Sequence, residues 1–122
     1  MLRVLVVEDE ALVRMGLICF VEALGHEVCG GAGTADDAVT LAREARPDIV
    51  LMDVRLAANG DGVQAAQTIR ERYDIPSIFI SANLERSTIK RAESARPVAF
   101  IHKPFDPDRL ERVLGDLAQP DS

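Results

Sequence analysis

The chain has 122 residues, 48% hydrophobic and 28% charged, which suits one globular domain with its own core and is too short for two ordinary ones. A formal net charge of −6 argues against a general nucleic-acid or anionic-membrane binder, since both need a basic field. No apolar run approaches the roughly 18 residues of a membrane span, and the N-terminus turns acidic at Glu8-Asp9-Glu10 too early for a secretory signal.

Residues 2 to 7, Leu-Arg-Val-Leu-Val-Val, read as a first strand ending at Glu8-Asp9. A helix over 10–24 follows, with Leu12, Met15, Cys19, Phe20 and Ala23 at helical spacing, and Gly25 as its C-terminal stop. Residues 26–32 form a weaker strand. Thr34 then caps a helix whose buried stripe is Ala38, Leu41, Ala42 and Ala45, and Arg46-Pro47 ends it. Residues 48–53, Asp-Ile-Val-Leu-Met-Asp, are a short apolar run that suits a strand covered on both faces; pattern alone also admits a buried helical segment. Asn59-Gly60 and Asp61-Gly62 mark a loop, and a helix over 62–73 turns Val63, Ala66, Ile69 and Tyr73 inward.

A fourth strand, 77–80, ends at Ser81-Ala82-Asn83. A thin, mostly polar helix over 84–95 has only Leu84, Ile89, Ala92 and Ala95 to bury. Residues 98–101 are a fifth strand. Asp106-Pro107 opens a last helix carrying Leu110, Val113, Leu114 and Leu117. Five strands alternating with five helices imply right-handed crossovers and a doubly wound α/β fold, a parallel sheet covered on both faces. Cys19 and Cys29 read as reduced core thiols, and His26 and His102 as structural or exposed. Lys90, Arg91, Arg109 and Arg112 on the last two helices read as a solvated face.

In such a sheet every strand's C-terminal end lies on one rim, so Glu8, Asp9, Asp53, Ser81 and Lys103 gather there. Two carboxylates about 4 Å apart repel by about 4 kcal/mol at an effective dielectric near 20, so the cluster calls for a cation. An all-oxygen acidic site with room for water suits Mg²⁺. Beside it a lysine and a hydroxyl offer donors to an anion, which makes a site for a phosphoryl group.

Val-Val-Glu-Asp-Glu at 6–10, Asp-Ile-Val-Leu-Met-Asp at 48–53, Ile-Ser-Ala at 80–82 and Lys-Pro-Phe at 103–105 stand in order, each at a strand end. Over nearly its whole length the chain resembles the receiver domain of two-component response regulators. The resemblance implies a flavodoxin-like sheet of strand order 2-1-3-4-5, with residues 1–122 forming a single domain. It implies that Asp53 accepts a phosphoryl group from the phosphohistidine of a sensor histidine kinase or phosphotransfer protein. Asp9 and Asp53 would bind Mg²⁺ directly, with Glu8 through water and the backbone carbonyl of Arg55 as a further ligand. Lys103 would pair with the phosphate, before a cis bond to Pro104; Ser81 and Phe100 would be the switch hydroxyl and aromatic. The switched surface would be the fourth helix, fifth strand and fifth helix, read by an output protein or domain or by a phosphorylation-dependent homodimer. The expected location is the cytoplasm, with no direct nucleic-acid or membrane contact.

The chain departs from the family at several points. The loop after Asp53 has Leu56-Ala57 where a Met-Pro-like pair is usual, and Asp61-Gly62 comes one residue late. Glu8 stands for the commoner aspartate, and Phe100 carries no hydroxyl. Arg55 and Asn83 occupy positions that influence how fast the phosphoryl group is lost. Three rival readings remain: the input domain of a longer regulator, a small Mg²⁺-dependent aspartyl phosphohydrolase, and a phosphorylation-independent binding module. The phosphohydrolase would need a second acid two residues after Asp53, where Arg55 stands.

Overall fold

The computed structural model describes residues 1–56, 60–82, 84–103 and 106–119. The chain runs β1 (Arg3–Val7), α1 (Ala11–Ala23), β2 (Glu27–Ala32), α2 (Ala35–Ala45) and β3 (Ile49–Asp53). A two-residue strand pair, β4 (Arg55–Leu56) and β5 (Gly60–Asp61), follows before α3 (Gly62–Tyr73). Then come β6 (Ser77–Ser81), α4 (Arg86–Ala92) with a 3₁₀ turn (Glu93–Ala95), β7 (Ala99–His102) and α5 (Pro107–Ala118).

The large sheet is parallel throughout, in the order β2-β1-β3-β6-β7. Counting only its own strands, that is the expected 2-1-3-4-5, and residues 48–53 resolve as strand rather than helix. Alternation along each strand feeds two cores. Leu5, Val7, Val50 and Met52 pack with Ala38 and Ala42 of α2 and Val63, Ala66 and Ile69 of α3. Val4, Val6, Ile49, Leu51, Ile78 and Ile80 pack with Leu17 and Val21 of α1 and Leu110 and Leu114 of α5. With both faces covered, the central strands carry unbroken apolar runs, and full burial of each such side chain stabilises the fold by about 1.5–3 kcal/mol.

The caps fall where the sequence places them. Thr34 accepts from the Asp37 N–H at 3.1 Å, Asp106 accepts from the Asp108 N–H at 2.9 Å, and Gly25 takes φ 94° just past α1. Of the stripes expected in α2, α3 and α5, Ala38, Ala42, Val63, Ala66, Ile69, Leu110 and Leu114 are buried, Leu41, Ala45, Tyr73 and Val113 are half-buried, and Leu117 is exposed. In α1 the spacing finds the helix but not its inner face. Leu17 and Val21 are buried, whereas Leu12, Met15, Cys19 and Ala23 are exposed. This segment is apolar nearly all round, so several stripes fit a 3.6-residue period and only docking on the sheet selects one. Cys19 is therefore a surface thiol, not a core one; Cys29 is half-buried.

The helix predicted over 84–95 is shorter, 86–92, and tightens into the 3₁₀ turn. Its few apolar residues bear the prediction out: only Ala92 and Ala95 are fully covered, with Leu84 and Ile89 half-buried. Ser81 belongs to β6 as its last residue rather than to the loop beyond.

Candidate functional site

Register brings the site together. Val7 of β1 lies beside Ala32 and Met52, Asp53 beside Ile80, and Ser81 beside His102. The residues that follow β1, β3 and β7 therefore leave the sheet on one rim. There Glu8, Asp9, Glu10, Asp53, Arg55, Ser81, Ala82 and Lys103 line an open cleft of about 270 Å³.

Lys103 stands between two acids. Its Nζ donates to Glu8 Oε1 and Oε2 at 3.2 and 3.0 Å and to Asp53 Oδ2 at 3.0 Å. The backbone fixes its place, since the Lys103 N–H donates to the Ser81 carbonyl at 2.9 Å. Glu8 is only 2% exposed, Asp53 is half-buried and Asp9 is exposed. Burial, and then the Asp53 carboxylate, push Glu8 from 4.5 up to about 7 against the pull of Lys103. Burial alone would lower Lys103, but its bonds to Asp53 and Glu8 outweigh that and hold it above its ordinary value.

Glu8, Asp9 and Asp53 each bring one carboxylate oxygen to within 4.8 Å of the others. Three hard oxygen donors in an open cleft fit a small divalent cation that keeps part of its water shell. Arg55 lines the same cleft, and its N–H donates to Asp53 Oδ1 at 3.3 Å. Ser81 is buried beside them, 3% exposed. Phe100 is half-buried on β7, its ring stacked on Phe79 with centroids 5.6 Å apart and planes 18° apart. The expected cis bond to Pro104, and the positions Ala57 and Asn83, lie outside the described residues.

Sequence reasoning missed three supports. Gly62 packs on the backbone of the central acid: a Cβ there would lie 1.8 Å from the Asp53 carbonyl oxygen, and the Gly62 N–H donates to the Val54 carbonyl at 2.7 Å. The Asp-Gly pair that reads as a loop is thus a required close approach. Asp61 caps α3, accepting from Val63 and Gln64, and also pairs with Arg91 of α4 at 2.5 Å. From the sequence, Arg91 reads as part of a solvated face by default, with a partner surface as the lesser alternative, and not as half of this ion pair. Arg14 of α1 donates to the Glu8 carbonyl at 2.6 Å.

The response regulator receiver domain family matches residues 4–114. The chain belongs to this family. The receiver domain is similar to the phyllosphere-induced regulator PhyR of Methylorubrum extorquens, 38% identical over 113 residues, covering 92% of this chain and 42% of that one. It is similar to the transcriptional regulatory protein PdtaR of Mycobacterium tuberculosis, 40% identical over 103 residues, covering 84% of this chain and 50% of that one. The chain thus spans half or less of the length of these curated relatives. Among solved structures it is similar to the signal receiver domain of a modulated diguanylate cyclase from Desulfovibrio desulfuricans G20. That match has a TM-score of 0.87 at 33% identity, covering 96% of this chain and 93% of that one. As a receiver domain the protein is a signalling module of the response regulators. Among its described residues no helix is long and apolar enough to cross a membrane.

Proposed function

We propose that residues 1–122 are one receiver domain that takes a phosphoryl group on Asp53 from a histidine kinase or phosphotransfer protein in a Mg²⁺-dependent reaction. What carries the reading is the Lys103 ammonium, 3.0 Å from Asp53 Oδ2, beside a carboxylate triad suited to a divalent ion. A carboxylate oxygen of Asp53 attacks the phosphorus in line; an O–P bond forms as the P–N bond to the donor imidazole breaks, and the electron pair leaves with the imidazole. Lys103 exchanges its bonds to Asp53 for bonds to the incoming phosphoryl oxygens. Asp9 and Asp53, the Arg55 carbonyl, and Glu8 through water would hold the Mg²⁺, which when bound supplies positive charge against the phosphoryl oxygens. The rim is open, so a bulky donor protein has access. The protein is a phosphoacceptor switch of the cytoplasm and not an enzyme acting on a diffusible metabolite.

The buried Ser81 and the half-buried Phe100 are the proposed switch pair. A phosphoryl group on Asp53 draws the Ser81 hydroxyl toward it, and Phe100 moves off Phe79 into the space released. The surface of α4, β7 and α5 changes with it. α4 is lightly anchored by apolar contacts and cheap to move. A separate output protein, a further domain or a second copy of the chain could read that surface equally. Incubation with a small acyl phosphate and Mg²⁺ should add one phosphoryl mass by intact-protein mass spectrometry, and Asp53→Asn should abolish it. Equal modification of the Asn variant would overturn the assignment.

A further inference from the structure

The two peptide groups that flank the Glu8 Cα are each held by a hydrogen bond. The Glu8 N–H donates to the Ala32 carbonyl at the end of β2, at 2.9 Å, and the Glu8 carbonyl accepts from Arg14 Nη1 at 2.6 Å. The latter bond is charge-assisted, about twice as strong as its neutral counterpart. Arg14 sits in the first turns of α1, and its side chain reaches the carbonyl by lying across the end of β2. Two glycines make the passage. A Cβ at Gly31 would sit 3.3 Å from Arg14 Cδ and 3.2 Å from Ile18 Cδ1. At Gly33 a Cβ would sit 3.0 Å from Arg14 Nη1. Neither glycine has positive φ; among the described glycines only Gly25 does. Space, not backbone freedom, is what these two positions supply.

The carbonyl that Arg14 holds belongs to the peptide joining Glu8 to Asp9. On one side of that peptide the Glu8 side chain meets Lys103, and on the other the exposed Asp9 lines the cleft. We propose that Arg14 is a positioning residue for the acidic pair. By fixing the Glu8 carbonyl it holds the carboxylates of Glu8 and Asp9 in the pose that binds the divalent ion, and Gly31 and Gly33 keep its path clear. The inference rests on the metal-dependent reading above and adds to it a residue that touches neither metal nor phosphoryl group.

The test is calorimetric titration of Mg²⁺ into the full chain, at a temperature where every variant is folded by circular dichroism. Arg14→Ala should weaken Mg²⁺ binding by about tenfold, the lower end for residues that orient metal ligands from behind. Arg14→Lys, which keeps a charged donor, should recover part of the loss. Gly33→Ala should weaken binding in the same direction by crowding the guanidinium. The double variant Arg14→Ala, Gly33→Ala should bind no worse than Arg14→Ala alone, since the added methyl then has no guanidinium to displace. Affinity unchanged in Arg14→Ala, or losses that simply add in the double variant, would overturn the inference while leaving the metal-dependent reading intact. A wild-type chain that neither binds Mg²⁺ nor takes a phosphoryl mass would overturn both.

Discussion

Glu8 is a buried carboxylate whose charge the metal-free fold tolerates poorly, and this should show as an inverted pH dependence. Its folded value of about 7 lies above its ordinary 4.5. Between those values the folded chain holds a proton that the unfolded chain has released. Stability from this group is therefore full below pH 4.5 and is lost as pH rises through 7. At about 1.4 kcal/mol for each pH unit, the loss comes to about 3 kcal/mol. Most carboxylates in folded proteins act in the opposite sense. His26 opposes it here too: burial lowers its value, so its contribution rises with pH over part of the same range. A comparison of two chains cancels such background. Glu8→Gln keeps the shape and removes the titration. Urea unfolding with a chelator present, at half-unit steps from pH 4.5 to 8, should show wild type losing about 3 kcal/mol relative to the Gln variant. Parallel curves across that range would refute the claim that burial and Asp53 dominate over Lys103 at this position.

Other substitutions probe the supports of the site. Gly62→Ala places a methyl against the backbone of Asp53 and Val54, which has no flexible end to move aside. It should cost more than about 3 kcal/mol, the upper end of ordinary overpacking, and should slow phosphoryl uptake; a loss under about 1 kcal/mol in urea unfolding would show that the loop relaxes. Asp61→Ala removes a helix cap and a partly exposed ion pair, so it should cost about 1–2 kcal/mol at pH 7. Although burial alone would raise it, Arg91 and the cap N–H groups hold the Asp61 carboxyl below 3.8, so its contribution fades as pH falls through that lower value. Urea unfolding near pH 3 should therefore show a smaller gap between Asp61→Ala and wild type.

The legible parts of this molecule were those in which chemistry and spacing agree. β1, β3 and β6 carry the unbroken apolar runs 4–7, 49–52 and 78–80 because both faces are covered, and each run halts just before a polar residue that belongs to the site. That coincidence made Glu8, Asp9, Asp53, Ser81 and Lys103 readable as one cluster. Thr34 and Asp106 were legible because a cap is a local event, complete within four residues. The inner face of α1 was not legible, since a helix apolar on several sides leaves the choice to tertiary docking. Arg14 and Gly62 were missed for a related reason. Each matters for what it meets across the fold: a carbonyl at the end of β1 for one, and the backbone of Asp53 for the other. The strand pair β4–β5 was invisible because two-residue strands leave no periodicity to read.

The loop after Asp53 is fastened at its two roots, by the Gly62 N–H on the Val54 carbonyl and by the pairing of Arg55 with Asp61. Whatever its length, the chain between those roots returns to the same place. Lengthening such a closed loop is cheap, about 0.6 kcal/mol for each doubling. An insertion between those roots would therefore cost little and leave Asp53 and Lys103 where they are. The two roots thus separate the backbone that carries Asp53 from the chain between them, so a change in length there need not disturb the acid or its lysine.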